Sequence, residues 1–429
     1  MNAAFRNRRA ALRALALMGG GLLLRPTRLW AGDPAVDAME RMQRQALGEV
    51  ESDTNFAFDE LDARIRAAFD LLERQTRAAF AQAQSDAESI WQAPIAPVEL
   101  PGSSHWVGYD AAQQGRVTVD YAQETVLIEK RISATTPQQA REEMQQFANK
   151  LADQTPAQTG QMDPVRKRLE ITPDSASEQQ IAQMGVGSIA QVVGDGDARK
   201  TADAVAKELA YAPIPQLPPK RRPQTSKADI APRKRPPVMA VRVALSPRLK
   251  KVSAQVMTPH AKQFAKRYKL PPSLILGVTQ TESDFNPRAV SPIPAYGLMQ
   301  LVPTSGGADA YAFVHGVEQR PSKDLLFQPV ANTELGAGYL HLLHYRYLRF
   351  ITNPLSRRYC AIAGYNTGAG NVARAFGHRN NIRAAARVIN ALTPEQVLAR
   401  LIRDLPYAET QRYVQKVLKY EKNYLSTNA

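Results

Sequence analysis

The chain has 429 residues and a formal net charge of +15, with 44% hydrophobic and 22% charged residues. This composition is typical of a soluble, core-forming protein, and the length suggests two or three domains. The only cysteine is Cys360, which excludes an internal disulfide, and the six histidines show no metal-binding spacing. We therefore predict no metal and no other cofactor. The basic excess favours a polyanionic partner, either an anionic cell-envelope polymer or a membrane surface. Nucleic acid is disfavoured because no recognition motif accompanies the charge.

The first 31 residues are typical of an export signal. Arg6, Arg8, Arg9 and Arg13 form a basic end, and an apolar run follows over 14–24. This run is shorter than the ~20 residues that a membrane-spanning helix needs. No cysteine follows it, so we expect no lipid anchor on a mature N-terminal cysteine. The expected location is the periplasm of a Gram-negative bacterium. Twin-arginine export, an uncleaved anchor and outer-membrane association stay open as alternatives.

Residues 32–212 are predicted to form an N-terminal α+β domain. Apolar residues recur at spacings of three and four over 54–92, which indicates one long helix. Alternating β-branched and aromatic residues over 106–132 predict strands, with a hairpin at 122–124. No catalytic constellation occurs in this domain, so a binding or positioning role is the hypothesis for it.

The second half of that domain shows weaker signals. Thr136-Pro137 predicts the start of a helix that runs to about Ala152, because threonine caps and proline suits the first helical position. Leu169–Ile171 is expected to form a short strand, and helices are expected over 177–211.

Residues 213–237 are predicted to be a linker. Eight of them are proline, and seven basic residues face a single acid. Such a segment keeps an extended chain and cannot bury a core. Alternating residues over 238–245 predict a strand that pairs back with the first domain. Residues 238–429 are otherwise expected to be all-helical, with a helix ending near Tyr268 and Ser273 capping the next one.

Glu282 is the candidate catalytic residue. It lies at the end of an apolar helical run that Asn286-Pro287 terminates. The helix dipole and the apolar surroundings both disfavour an anion there, so the pKa of Glu282 is predicted to be raised. A carboxyl group that stays protonated near neutral pH can act as a general acid.

The residues that follow Glu282 supply amides, aromatic rings and close-approach backbone. Gln300 comes after a glycine, Tyr339 lies in an amphipathic helix, and Tyr365-Asn366 precede a glycine cluster. This inventory suits a sugar polymer that carries N-acetyl groups better than it suits a phosphate.

In their order and spacing, Glu282-Ser283, Gly297-Leu298-Met299-Gln300, Tyr365-Asn366 and Glu409-Thr410 with Tyr413 resemble the soluble lytic murein transglycosylases. The segments 353–359 and 106–110 resemble the C-type, membrane-bound branch of that family. The resemblance implies a goose-lysozyme-like helical catalytic domain, so the predicted fold class is α+β. It also implies that the partners are peptidoglycan glycan strands, and we expect a monomer.

The resemblance also implies site roles. Glu282 is expected to be the catalytic acid and then the base. The residues expected to bind or orient the substrate are Ser283, Ser291, Gly297, Leu298, Met299, Gln300, Tyr339, Tyr365, Asn366, Glu409 and Tyr413.

Only one persuasive carboxylate occurs, whereas typical glycosidases need two. Asp284 is two residues from Glu282 and faces elsewhere on a helix. We therefore expect cleavage without water, in which the muramoyl C6 hydroxyl closes a 1,6-anhydro ring. A hydrolytic muramidase and a non-catalytic peptidoglycan-binding protein stay open as alternatives.

Overall fold

The structure, a computed structural model, describes residues 70–91, 98–171, 174–217, 237–378 and 381–428. The predicted export signal, the start of the predicted long helix and most of the predicted linker lie outside the described residues. Among the residues that are described, no helix is both long and apolar enough to cross a membrane.

An antiparallel sheet of four strands forms the first half of the described chain. Its first three strands are β1 (His105–Tyr109), β2 (Gly115–Asp120) and β3 (Thr125–Arg131). The predicted hairpin at 122–124 is confirmed, because β2 pairs with β3 in antiparallel register. Valine and isoleucine side chains of this hairpin point into the core, which explains the alternation in the sequence.

The strand after the predicted linker completes this sheet. β4 (Val238–Ala244) pairs antiparallel with β3, and Val241 lies opposite Ile128. Met239, Val241 and Val243 are buried while the residues between them are exposed. The prediction that this strand pairs back with the first domain is therefore confirmed. The chain returns to the sheet before it enters the helical region.

Helices surround the sheet. They are α1 (described over 70–91), α2 (Pro137–Ala152), α3 (Pro156–Gly160), α4 (Pro164–Arg168), α5 (Ser175–Gln183), α6 (Ile189–Gly194) and α7 (Ala198–Leu209). The start of α2 is as predicted, with the Thr136 side chain accepting a hydrogen bond from the backbone N–H of Gln139.

The predicted strand at Leu169–Ile171 is wrong. Asp163 caps α4 by accepting hydrogen bonds from the N–H groups of Val165 and Arg166. The helix then ends in a turn in which Glu170 has a φ of 55°. Leu169 and Ile171 are buried by this turn rather than by a sheet. A strong N-cap followed by proline decides the local structure over a three-residue alternation.

The second half of the chain is helical, and the predicted α+β class is confirmed. Its elements are α8 (Leu249–Tyr268), α9 (Pro272–Ser283), α10 (Gly306–His315), α11 (Lys323–Leu326), α12 (Pro329–His341), a π-helical turn (Leu342–Tyr347), α13 (Pro354–Thr367), α14 (Ala369–Ala375), α15 (Ile382–Asn390), α16 (Pro394–Asp404), α17 (Ala408–Lys422) and a final 3-10 turn (Leu425–Asn428).

Helix α8 ends at Tyr268 as predicted and contains Pro259 within it. The prediction that Ser273 caps the next helix is wrong. Helix α9 begins at Pro272 with Pro271 at the cap position, and no side chain caps it. The Ser273 hydroxyl instead donates to Glu421 Oε1 on α17 at 3.0 Å. The buried Glu421 carboxylate thus accepts the hydrogen bond of the serine hydroxyl, which is then not used to cap α9.

Helices α9 and α17 pack unusually closely at Gly277. A Cβ atom added there would lie 3.0 Å from the backbone N and Cα of Glu421. Glu421 itself is buried and pairs with Arg358 of α13. Gly277 therefore sets the separation of two helices, and the Glu421 carboxylate connects a third helix to them.

Gly277→Ala should lower the free energy of unfolding by about 1–3 kcal/mol, because the methyl group meets backbone that cannot rotate away. The matched control is Gly364→Ala on α13, where the nearest atom is the end of the Leu343 side chain. There the gain in helix propensity, about 1 kcal/mol, should offset the contact. Urea unfolding of both variants checks this, and equal effects would contradict the close-packing explanation.

Candidate active site

A groove of about 640 Å³ opens beside the C-terminal end of α9. It brings together residues that are far apart in the chain. Eight of the twelve predicted site residues line it: Glu282, Ser291, Gln300, Tyr339, Tyr365, Asn366, Glu409 and Tyr413. Their roles toward a substrate stay predictions, but their convergence on one groove is a feature of the fold.

Glu282 lies in the last turn of α9 with its side chain facing the groove. The Tyr413 hydroxyl of α17 donates a hydrogen bond of 2.6 Å to Glu282 Oε1. Glu409, Tyr413 and Lys416 follow one another at spacings of four and three, so they share one face of α17. The close packing of α9 on α17 is what brings that face to Glu282.

Burial raises the pKa of Glu282 from 4.5 to about 8. The hydrogen bond from Tyr413 opposes this shift because it stabilises the carboxylate, while the negative charge of Glu409 adds to it. Lys416 is a smaller opposing influence. Glu282 keeps partial exposure through the groove. Dehydration of the carboxyl is therefore strongest when a ligand covers it.

The two tyrosines beside Glu282 are neutral hydrogen-bond donors. Burial and the proximity of Glu282 raise the pKa of Tyr413 and of Tyr365 well above 10. Tyr365 donates to the backbone carbonyl of Met299 at 2.9 Å. It also packs at 5.4 Å, ring centroid to ring centroid, against Tyr339. The pair presents aromatic surface to the groove.

Four of the predicted site residues, Ser283, Gly297, Leu298 and Met299, do not line the groove. They are buried behind it. The Ser283 hydroxyl donates to the carbonyl of Leu298 at 2.8 Å, and the N–H of Met299 donates to Asn332 Oδ1 at 2.7 Å. These contacts hold the segment after Gly297 against the helix that carries Glu282.

Gly297 is needed at its position. Its φ is +73°, and an added Cβ would lie 2.1 Å from the carbonyl oxygen of Leu326. Any side chain would therefore displace the backbone that leads to Gln300. The sequence signal of a glycine before Leu298 thus marks close backbone packing rather than a direct contact with the groove.

Two amide side chains are held by protein contacts. Asn366 Oδ1 accepts from the Thr410 hydroxyl at 2.6 Å, which leaves its NH₂ group as the donor available in the groove. Gln300 Nε2 donates to the carbonyls of Gly297 and Ala289, at 3.0 and 3.3 Å. Its Oε1 atom is then the acceptor that a ligand can use.

Sequence reasoning missed several groove residues. Those not assigned include Ser103, Ile293, Asn371, Tyr407 and Thr410. Thr410 lies within a motif that had been noticed, and Asn371 comes directly after the glycine cluster. Tyr407 is exposed by 53% and Ile293 by 54%, so both form apolar parts of the rim. Ser103 belongs to the N-terminal half, and no sequence signal places it here.

Asp284, the carboxylate nearest to Glu282 in sequence, faces away from the groove. It ends α9 with a φ of 49° and is 3% exposed. Its oxygens lie 3.9 Å from Lys250 Nζ and 4.0 Å from Lys416 Nζ. In the part of the chain that the structure describes, no group of three or more His, Cys, Asp or Glu residues could hold a metal ion.

Residues 259–388 match the family model described as "Transglycosylase SLT domain". This part of the chain is therefore similar to the SLT domains of transglycosylases. Glu282, Gln300, Tyr365 and Asn366 lie inside the matched range, whereas the α17 residues that contact Glu282 come after it. The environment of Glu282 therefore includes a helix that lies beyond the matched range.

Curated relatives agree with this match. The chain is 44% identical over 173 residues to membrane-bound lytic murein transglycosylase C of Histophilus somni, covering 40% of this chain and 47% of that protein. It is 42% identical over 173 residues to the protein of that name from Actinobacillus succinogenes, with 40% and 48% covered. The chain spans about half the length of the curated relatives it matches.

Solved structures with similarity include an inactive mutant of lytic transglycosylase Slt from Pseudomonas aeruginosa. It is 19% identical, with a TM-score of 0.32, and the alignment covers 66% of this chain and 43% of that chain. The 70 kDa soluble lytic transglycosylase from Escherichia coli is 17% identical with a TM-score of 0.32, and the same shares of the two chains are covered.

The raised pKa of Glu282 predicts a pH-dependent effect of Glu282→Gln on stability. The folded protein holds this proton more tightly than the unfolded chain. Glu282 therefore reduces stability as pH rises from about 4.5 to about 8. The neutral variant should melt at a higher temperature than the wild type at pH 8, and at the same temperature near pH 4. Thermal melting across pH measures this. A difference that does not change with pH would contradict the raised pKa.

Proposed function

We propose that this protein is a lytic transglycosylase of peptidoglycan. It cleaves the β-1,4 bond between N-acetylmuramic acid and N-acetylglucosamine without water and leaves a 1,6-anhydro-muramoyl end. The match to the SLT domain model and the curated relatives support the reaction class. The relatives match only part of the chain, so the support for the substrate and the mechanism comes from the geometry of the groove.

The observation that carries the proposal is the environment of Glu282. Its pKa of about 8 keeps it protonated at neutral pH, and Tyr413 donates to Oε1. Oε2 is then the atom that holds the acidic proton. Glu282 gives this proton to the glycosidic oxygen, and the bond from that oxygen to muramoyl C1 breaks. Positive charge develops on the ring as an oxocarbenium-like state.

The second half of the reaction uses the same side chain as a base. The Glu282 carboxylate takes the proton of the muramoyl C6 hydroxyl while that oxygen bonds to C1. The proton balance closes because the proton given to the leaving sugar is replaced by the one from the hydroxyl. The hydrogen bond from Tyr413 stabilises the carboxylate between the two steps. General acid–base catalysis of this kind contributes about 10²–10⁴-fold.

The other groove residues bind and orient the glycan in this proposal. Asn366 and Gln300 offer a donor and an acceptor to N-acetyl groups or hydroxyls. Tyr339 and Tyr365 offer ring faces to the sugars, and Ser291 and Glu409 bind sugar hydroxyls. Ser283, Gly297, Leu298 and Met299 support these groups from behind. The remainder of the rate enhancement comes from electrostatic fit and ring distortion.

Glu409 gives a physical basis for the competing reaction. It is a second carboxyl group in the groove, and a hydrolytic muramidase would use such a group to activate water. We favour the transglycosylase because Glu409 lies on the same face of α17 as Tyr413, beside the acid. A base for an inverting hydrolysis would have to lie across the sugar ring from Glu282.

We also infer that the protein acts in the cell envelope, where its substrate lies. The names of the curated relatives place them at a membrane and on murein. The net charge of +15, which is 15 − 6 = +9 without the predicted export signal, suits a matrix that carries carboxylates and phosphates. A periplasmic location and a monomeric state are part of this proposal.

Glu282→Gln should reduce the release of muropeptides from purified sacculi by at least about 10²–10⁴-fold, because the amide cannot donate the proton. Binding to sacculi should persist, since the variant keeps the size and polarity of the side chain. Mass spectrometry of the released products and a sedimentation assay with sacculi measure the two quantities.

The same experiment separates the alternatives. A wild-type product heavier by one water than the anhydro form would identify a hydrolase. Binding without any released product from the wild type would identify a non-catalytic peptidoglycan-binding protein. Normal turnover by Glu282→Gln would remove Glu282 from the mechanism.

Two substitutions should move the pH–rate profile in opposite directions. Activity is lost as pH rises through the pKa of Glu282, because the acid loses its proton. Glu409→Gln removes a negative neighbour and should shift this limb to lower pH. Lys416→Met removes a positive neighbour and should shift it to higher pH. Rates measured from pH 5 to 10 on soluble glycan strands check this. A shift of the alkaline limb in the same direction in both variants would contradict it.

A further inference from the structure

The segment between Glu282 and Gln300 contacts the N-terminal half of the chain on the side that faces away from the groove. We call residues 284–301 the wall loop, because they supply Ser291, Ile293 and Gln300 to the groove. The sequence suggested that the two halves are separate domains joined by a linker. Among the described residues, one cluster of buried apolar side chains has members from both halves.

Arg288 is the main anchor of the wall loop. It is 3% exposed, and its guanidinium donates to three acceptors of the N-terminal half. These are the carbonyls of Val186 and Pro156, both at 3.0 Å, and Glu178 Oε2 at 2.7 Å. The fork of an arginine matches such a set of acceptors, which the compact ammonium of a lysine cannot bridge in the same way.

The backbone on either side of Arg288 is held as well. The buried Asn286 accepts from the N–H of Arg288 at 3.0 Å and donates to the carbonyl of Ser103 at 3.4 Å. The N–H of Val290 donates to the carbonyl of Gly102 at 3.4 Å. Ser103 then reaches the groove itself. The N-terminal half thus forms part of the groove wall as well as its support.

Arg288 leads directly to a residue in the groove. The carbonyl of the next residue, Ala289, accepts from the N–H of Gly297 at 2.9 Å and from Gln300 Nε2 at 3.3 Å. A shift of Arg288 would move this carbonyl and weaken one of the two hydrogen bonds that hold the Gln300 amide, the other being the 3.0 Å bond to the carbonyl of Gly297. The chain of contacts is short, and each member is fixed in position by the one before it.

A stability role alone explains this arrangement poorly. A second buried arginine, Arg166, lies 3.9 Å from the same Glu178, and the buried carboxyl of Asp163 also lies near both arginines, so several charged groups are clustered inside the protein. Buried ion pairs generally contribute less to stability than well-packed apolar residues would. What such a cluster supplies is a fixed geometry, and the geometry fixed here is that of the groove wall.

We propose that Arg288 is a positioning residue through which the N-terminal half holds the wall loop, and with it Gln300 and Ser291, in register with Glu282. The N-terminal half is then a structural component of the glycan site. This inference rests on the proposed function for the identity of the ligand, and it goes beyond that function by assigning a role to the first half of the chain.

The first test compares three variants. Arg288→Met keeps most of the side-chain volume but loses every side-chain hydrogen bond, and kcat/KM on soluble glycan strands should fall about 10–100-fold. Arg288→Lys should lie between Arg288→Met and the wild type. The control is Arg116→Met, which removes a buried arginine paired with Glu129 in the sheet, away from the wall loop. The control should lower the melting temperature without changing kcat/KM at temperatures where it stays folded.

Unchanged kcat/KM in folded Arg288→Met would overturn the inference. If that variant does not fold, Glu178→Gln replaces it. This substitution keeps the shape of the side chain and weakens only one of the contacts of Arg288. A loss of several-fold in kcat/KM is expected, and wild-type kinetics would again overturn the inference.

A double-mutant comparison tests whether Arg288 acts through Gln300. The losses from Arg288→Met and Gln300→Ala should not add on a logarithmic scale, because Gln300→Ala removes the amide that Arg288→Met leaves out of position. Arg288→Met combined with Asn371→Ala, on α14 at another part of the groove, should add. Full additivity in both pairs would show that Arg288 has only a general structural effect.

Glycan binding separates this inference from the proposed function. In the Glu282→Gln background, Arg288→Met should weaken binding of glycan strands about 10-fold or more, whatever the reaction. A wild type that binds but releases no anhydro product ends the proposed function and leaves the inference standing. A wild type that cleaves as proposed while Arg288→Met cleaves and binds equally well ends the inference alone.

Discussion

The close approach of α9 and α17 at Gly277 is the constraint on which the site depends. Only a residue without a side chain lets the two helices pack backbone to backbone there. This packing brings Tyr413 within hydrogen-bonding distance of Glu282. The buried Glu421 carboxylate, between Ser273 and Arg358, then connects α13 to the pair. The acid and its tyrosine partner are thus fixed by helix packing.

The electrostatics of the groove follow from this packing. Burial raises the pKa of Glu282, and the hydrogen bond from Tyr413 lowers it, so the side chain can hold a proton and still be stable as an anion. A single group that changes role during a reaction needs both properties. Glu409 and Lys416 lie on the face of α17 that carries Tyr413 and adjust the balance in opposite senses.

The two halves of the chain are more closely joined than a linker of prolines suggests. β4 returns to the first sheet after the linker. Arg288 and Asn286 bind the N-terminal half immediately after the helix of the acid. Thr76 of α1 and the Tyr296 hydroxyl lie 3.0 Å apart and add a further contact. A wall loop with two consecutive left-handed residues, Asp284 and Phe285, has little regular structure of its own, and these contacts hold it in place.

The sequence by itself determined the α+β class, the hairpin, the return of β4 and the position of Glu282 at the end of an apolar helix. These depend on local periodicity, on caps and on helix ends, which neighbouring residues control. The same reasoning failed at Leu169–Ile171, where the helix capped by Asp163 ends in a turn instead of a strand. It also failed at Ser273, whose hydroxyl binds the distant Glu421 carboxylate instead of capping its helix.

Only the tertiary structure decided which residues share the groove. Ser103 lines the groove, whereas Gly297, Leu298 and Met299 are buried behind its surface. Asp284 faces away from the groove, toward Lys250. These outcomes depend on contacts between segments more than a hundred residues apart, such as Arg288 with Val186 and Tyr413 with Glu282. No local pattern records such contacts, because each partner looks ordinary within its own segment.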